Sequence, residues 1–247
     1  MNTRAGACPL HDLAKYKEHQ MKTEEKYAPT NLDEVTYPSS AVALRMKGYV
    51  SGGLEGHVML HGPNGTGKTT VAKLLVDAIG GPDAQVEQKD MHELLGLSKL
   101  KDYIKASCAM AQLTTSGKHF IVLNEFDKVK KGASDFWTAL DACGNEVMAI
   151  ITTNNPMAID RAIRSRFDLI DMSGVSAVQA LPRVQLALKG EGLILPDAQV
   201  LHYLKQVEYM MDFRKYFKKA DELIFLRDSG LQFPAWNGAP KPVLKVI

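Results

Sequence analysis

With 247 residues the chain can bury a real core, as one large domain or two small ones, and its ordinary globular composition excludes wholesale disorder. A formal net charge of only +2 excludes a globally basic surface, and no apolar run reaches signal-core or transmembrane length, so a soluble protein with no membrane partner is expected. The three cysteines, Cys8, Cys108 and Cys143, are far apart without a CxxC pair, so neither a zinc module nor a disulfide framework is expected, which fits a reducing cytoplasm.

Residues 1–24 are polar and read as a tail or a loosely packed helix. Cys8, His11 and His19 are too scattered for a metal site, and solvated side chains are the expectation. Glu25-Lys26-Tyr27-Ala28-Pro29 and Asn31-Leu32-Asp33-Glu34-Val35 lead from polar to apolar sequence, and Ala41 to Val50 reads as a helix broken by Ser51-Gly52-Gly53. His57–His61 is a short buried strand. Gly62-Pro63-Asn64-Gly65-Thr66-Gly67-Lys68-Thr69 follows it and fits the phosphate-loop pattern G-x-x-x-x-G-K-S/T. Beyond Thr70, the residues Val71, Leu74, Leu75, Ala78 and Ile79 recur at helical spacing.

Further strands are expected at Ala84–Gln88, His119–Leu123, Val147–Thr152 and Asp168–Met172. Helices are expected at Lys99–Leu113 with Ser98 as N-cap, at Asp135–Cys143 with Phe136, Trp137 and Leu140 inward, and at Ile159–Ser165. The alternation predicts an α/β fold: a five-stranded parallel sheet with helices on both faces. After Ser173-Gly174 strands vanish, and residues 176–189, 197–209 and 212–226 are helical in pattern. Pro182 should start or kink the first of these. The expected division is a tail over 1–24, a nucleotide-binding α/β domain over 25–173, a helical domain over 174–228 and a Pro/Gly-punctuated tail over 229–247.

The chemistry concentrates at strand ends. In the phosphate loop, glycines let backbone N–H groups turn around a phosphate, and the helix N-terminus adds partial positive charge. Lys68 would reach the β- and γ-phosphates and the Thr69 hydroxyl would ligate Mg²⁺, so the chain should bind a nucleoside triphosphate. The strand Phe120–Leu123 ends in Asn124-Glu125-Phe126-Asp127. Glu125 is the candidate to polarise the attacking water, and Asn124 occupies the metal-side position. An amide there accepts a hydrogen bond but carries no charge to offset Mg²⁺. In Thr153-Asn154-Asn155-Pro156 an asparagine can hold the water or a γ-phosphate oxygen, although Asn-Asn-Pro alone is an ordinary turn. Arg161, Arg164 and Arg166 lie close together; a charge run is usually a solvated face, but one arginine can serve a neighbouring subunit's γ-phosphate. Arg214 can do a similar job from the helical part.

Together these segments resemble an AAA+ ATPase, and within that superfamily a clamp-loader subunit, especially the bacteriophage type. Glu25-Lys26-Tyr27-Ala28-Pro29 resembles the family's E-K-Y-R-P opening with Ala28 for arginine, and Gly62–Thr69 is similar to G-P-P-G-T-G-K-T with Asn64 for the second proline. Asn124-Glu125-Phe126-Asp127 resembles the D-E-x-D pattern, and Asn154 the sensor 1 residue. Ser165-Arg166-Phe167 resembles S-R-C, which makes Arg166 the arginine finger; Lys189–Gly192 with Asp212-Phe213-Arg214 resembles the lid, with Arg214 as sensor 2. The resemblance also implies Tyr27 and Val35 near the adenine, ATP with Mg²⁺ bound between domains and subunits, and a ring of this chain with itself or related AAA+ subunits. Primer–template DNA and a sliding clamp would be its targets in a bacterial or phage-infected cell, with Lys99, Lys101 and Lys105 facing the DNA backbone. The sequence stops soon after the lid, so the family's third, collar domain is expected to be missing or reduced.

Overall fold

A computed structural model describes residues 22–81, 86–90, 97–111, 118–128 and 133–236. The strands are β1 (His57–His61), β2 (Val86–Asp90), β3 (His119–Asn124), β4 (Val147–Thr153) and β5 (Phe167–Asp171). They pair in parallel in the order β2-β3-β4-β1-β5, with β2 at the edge described by its backbone and its register against β3. β3 and β4 are buried along their whole length, which is why they read as unbroken apolar runs.

Successive strand side chains point to opposite faces, and each face has its own core. Val58, Leu60, Phe120, Val122 and Ile150 pack on one side against α2 (Ser40–Val50) and α3 (Lys68–Gly80). Met59, Ile121, Leu123, Ala149 and Ile151 pack on the other against α4 (Leu97–Ala111), α5 (Ala133–Cys143) and α6 (Arg161–Arg164). From β1 the chain crosses to β2 at the far edge, whereas β4 leads over β1 to β5. That reversal opens a crevice at the carboxyl ends of β1, β3 and β4, where open α/β sheets bind ligands.

A third core joins α7 (Ala177–Gly190), α8 (Asp197–Lys205) and α9 (Phe213–Asp228) around Val184, Leu188, Tyr203, Leu204 and Tyr216. A capping box between Ser176 and Gln179 starts α7.

Several expectations need correction. Pro182 sits inside α7 rather than at its start. It and Val178, whose carbonyl loses the proline's missing donor, share the exposed side of the helix, where water can serve that oxygen. Ser98 lies within α4 and not at its N-cap, because the helix begins at Leu97. α6 is a single turn, capped by the Asp160 side chain, instead of spanning Ile159–Ser165. Cys108 on α4 and Cys143 on α5 are joined as a disulfide, with Cα atoms 5.7 Å apart; helix packing brings together two residues that sequence distance separates.

Short segments at both ends of the described chain are tied to the third core and its helices. Thr23–Lys26 forms α1, and the Thr23 hydroxyl donates to the Asp221 carboxylate (2.6 Å) on α9. Phe233 packs on the third core and the Pro234 carbonyl accepts from the Tyr203 hydroxyl (2.9 Å). Cys8, His11 and His19 lie outside the described residues, as does the Lys99 side chain; Lys105 is exposed and Lys101 half-exposed. Among the described residues there is no metal-binding group of three or more ligands, and no helix is long and apolar enough to cross a membrane.

Candidate nucleotide-binding site

The loop from Gly62 to Gly67 joins the end of β1 to the start of α3. Gly67 is the α3 N-cap with φ 81°, and its carbonyl accepts from Val71 N (2.9 Å). Gly65 has φ 75°, and a Cβ there would run into the Asp212 carboxylate. Its own carbonyl accepts from Phe213 N (3.0 Å), so the first turn of α9 is docked directly on the loop. Only glycine meets both the left-handed backbone and that close approach.

Lys68 is buried and its Nζ donates to the carbonyls of Gly62 (2.8 Å) and Pro63 (2.6 Å). Burial lowers its pKa from the ordinary lysine value, with the charge of Asp127 acting the other way. Gly62 and Pro63 therefore serve as the floor of the loop, while Asn64, Gly65, Thr66, Gly67, Lys68, Thr69 and Thr70 line a cavity of about 340 Å³. That volume suits a small-molecule ligand.

The strand ends complete the cavity. Thr69 Oγ1 donates to Asn124 Oδ1 (3.4 Å), which also accepts from Thr152 Oγ1 (3.1 Å). Asn124 thus turns a neutral acceptor toward the Thr69 hydroxyl, a donor set that fits a hydrated Mg²⁺ with less charge than a carboxylate would give. Glu125 lines the cavity with φ 56°, a left-handed conformation uncommon outside glycine, and its N–H donates to Thr152 Oγ1 (3.3 Å). Asn154, after β4, lines the cavity as well. Its backbone N–H (3.3 Å) and the Thr153 hydroxyl (2.9 Å) both donate to the Asp127 carboxylate, so Asp127 ties the β3 end to the β4 end. The motif that contains Asp127 gives no signal of this task.

The opposite wall comes from the N-terminal segment and the helices after residue 174. Val35 lines the cavity. Tyr27 does not: its hydroxyl donates to Glu191 (2.8 Å) and its ring lies over Gly190, where the missing side chain makes room. Arg214 lines the cavity and pairs with Glu24 at 3.6 Å. Arg183 of α7, which the sequence reading missed, also lines it and reaches Glu34 at 3.4 Å. One arginine in an amphipathic helix gives no signal of that position.

Arg166 lies outside this cavity. Its Nε and Nη2 donate to the Asp141 carboxylate, and its guanidinium carbon sits 4.3 Å from the Trp137 ring centroid. Of the other two arginines in the run, Arg164 contacts Met157 Sδ (2.9 Å) and Arg161 is exposed.

A parallel sheet whose first strand runs into a glycine loop and a helix, with acidic and amide groups at the next strand ends, defines a phosphate-loop nucleotide-binding class of protein. Residues 58–174 match the family described as "ATPase family associated with various cellular activities (AAA)". The chain is similar to the sliding-clamp-loader large subunits of Enterobacteria phage T4 (28% identical over 218 residues) and Escherichia phage RB69 (27% over 219). Each alignment covers 83% of this chain and 65% of the phage protein. It is also similar to replication factor C subunit 3 of Blastobotrys adeninivorans, 28% identical over 159 residues, covering 61% of this chain and 47% of that protein. Residues 58–174 thus match a family of AAA ATPases, and the chain is similar, at low identity, to clamp-loader and replication factor C subunits, of whose length it spans between about half and two-thirds.

Proposed function

We propose that the chain binds and hydrolyses ATP as one subunit of a ring of AAA+ subunits, and that it acts in DNA replication in a clamp-loader-like role. The observation that carries this reading is the convergence of Lys68, Thr69, Glu125 and Asn154 on one cavity, with Arg214 reaching in from the helical part. Residues 25–173 act as the nucleotide-binding domain and 174–228 as its lid, each with its own core. The phage relatives, described as sliding-clamp-loader large subunits, support work on a sliding clamp in a bacterial or phage-infected cell, with primer–template DNA as the further target of this reading.

In this mechanism the loop amides and Lys68 hold the β- and γ-phosphates. Thr69 and Asn124 would hold Mg²⁺, which would supply positive charge against the developing charge on the γ-phosphoryl group. Glu125 accepts a hydrogen bond from the attacking water and aligns it, while Asn154 fixes its second hydrogen-bond direction. Arg214 neutralises phosphate charge from the lid, so lid position depends on which nucleotide is bound. Arg166, remote from its own cavity, serves the site of a neighbouring subunit.

Steady-state ATP hydrolysis measured over a range of protein concentrations, with and without primer–template DNA, tests the proposal. Steep concentration dependence and stimulation by DNA are expected. Turnover proportional to protein concentration would overturn the shared site, and indifference to DNA would redirect the reading to a remodeller of a protein target. A second reading, a nucleotide-gated scaffold that hydrolyses slowly, draws on the uncharged Asn124 at the metal side.

A further inference from the structure

Arg166 is held in an unusual way for a side chain at the surface. Asp141 takes both hydrogen bonds on one edge of the guanidinium: Nε donates to Oδ1 (2.8 Å) and Oδ2 (3.1 Å), and Nη2 donates to Oδ2 (2.8 Å). Nη1 donates to the Ala162 carbonyl at 2.6 Å. The flat face of the same group stacks on Trp137. A guanidinium has five N–H donors, one on Nε and two on each terminal nitrogen. The bonds described use one on each nitrogen and leave one proton on Nη1 and one on Nη2. One further donor on each terminal nitrogen is what two phosphate oxygens need to be gripped together.

The platform beneath is rigid. Trp137 and Asp141 are four residues apart on α5 and share one side of it. The residues next to Trp137 and Arg166 in sequence, Phe136 and Phe167, are buried and stack on each other with centroids 6.4 Å apart and planes 13° from parallel. The buried pair fixes the spacing and the outer pair inherits it. Hydrogen bonding to Arg166 also holds the Asp141 carboxyl below its ordinary value, so the clamp stays charged at neutral pH.

We propose that Asp141 and Trp137 are positioning residues that pre-orient Arg166 so that its two further donors meet the γ-phosphate of a nucleotide bound in an adjacent subunit. This rests on the trans role for Arg166 given above and adds the residues that aim it. Fixing the guanidinium in advance removes the entropy that a free arginine would lose on docking. It also explains why the carboxylate grips one edge and the ring one face, with the end left open.

The test uses the full chain with four substitutions: Asp141→Asn, Trp137→Leu, Arg166→Ala and Glu125→Gln. Asp141→Asn and Trp137→Leu should bind ATP with unchanged Kd, because neither residue lines the chain's own cavity, while Trp137→Leu should melt lower because Trp137 packs against a core. Their turnover at saturating ATP should fall about tenfold, against about a thousandfold for Arg166→Ala. Mixing each with excess Glu125→Gln chains, which cannot turn over but lend an intact arginine, should restore turnover at the variant's own sites. A merely structural role for Asp141 would not be rescued by mixing. Wild-type turnover in Asp141→Asn, or a loss that mixing does not restore while Arg166→Ala is restored, would overturn the proposal. Failure of mixing to restore Arg166→Ala would instead overturn the trans reading of Arg166 on which it stands.

Discussion

Lys68 shows how a single buried charge sets a measurable property. Its ammonium is desolvated and its pKa stands below the ordinary value of 10.5, while an anionic phosphate beside it would raise it again. Binding then takes up a proton wherever free Lys68 is neutral, so affinity is full at low pH and is lost as pH rises through the lowered pKa. Titration calorimetry with ATP should show Kd rising at a pH below the usual lysine range, and Lys68→Met should weaken binding about 100-fold and remove that slope. Asn124 offers a second test at the same scale. Restoring a carboxylate with Asn124→Asp should raise turnover about tenfold, worth about 1.4 kcal/mol of barrier, because the metal side regains a charge. No gain would mean that the amide is simply tolerated. The position of both residues was legible in the sequence because motif spacing fixes them at a strand end and a helix start. The position of the Tyr27 hydroxyl was not legible, because a carboxylate 164 positions away, Glu191, decides where it goes.

At the scale of elements, the contact between the phosphate loop and α9 is the most exposed to substitution. Gly65→Ala puts a methyl group into the Asp212 carboxylate and demands a left-handed alanine, at a cost of about 1–3 kcal/mol. Lid docking and ATP affinity should both weaken, and adding Asp212→Gly should recover part of the affinity by removing the carboxylate while leaving the backbone strain. Equilibrium binding of a fluorescent ATP analogue to both variants reads this directly. The strands and helices themselves were legible to within a few residues, since buried parallel strands and amphipathic helices carry distinct periods. What periodicity cannot see is a helix that tolerates Pro182 on its wet side, or an N-terminus that runs one residue past Ser98.

For the whole molecule, the disulfide between Cys108 and Cys143 links α4 to α5 across 35 residues of sequence. Under oxidising, denaturing conditions two of the three cysteines should resist a thiol reagent, and reduction should cost about 3 kcal/mol of stability in a thermal or urea melt. Three reactive thiols without reductant would count against the bridge. Cysteine spacing alone gave no sign of it, because only the packing of two helices brings the pair together. Longer-range ties bind the segment from Thr23 to Pro38 to α7, α9 and the turn after α7 as well: Thr23 to Asp221, Tyr27 and Lys26 to Glu191, and the Gln179 side-chain amide to the carbonyls of Tyr37 and Pro38. That segment carries Val35, and α9 carries Arg214 and the first turn that rests on Gly65. Because Leu32, Val35 and Tyr37 also pack on the core beneath the sheet, this one segment stitches the α/β part to the helices that follow it, and a nucleotide in the cavity would touch both sides of the seam.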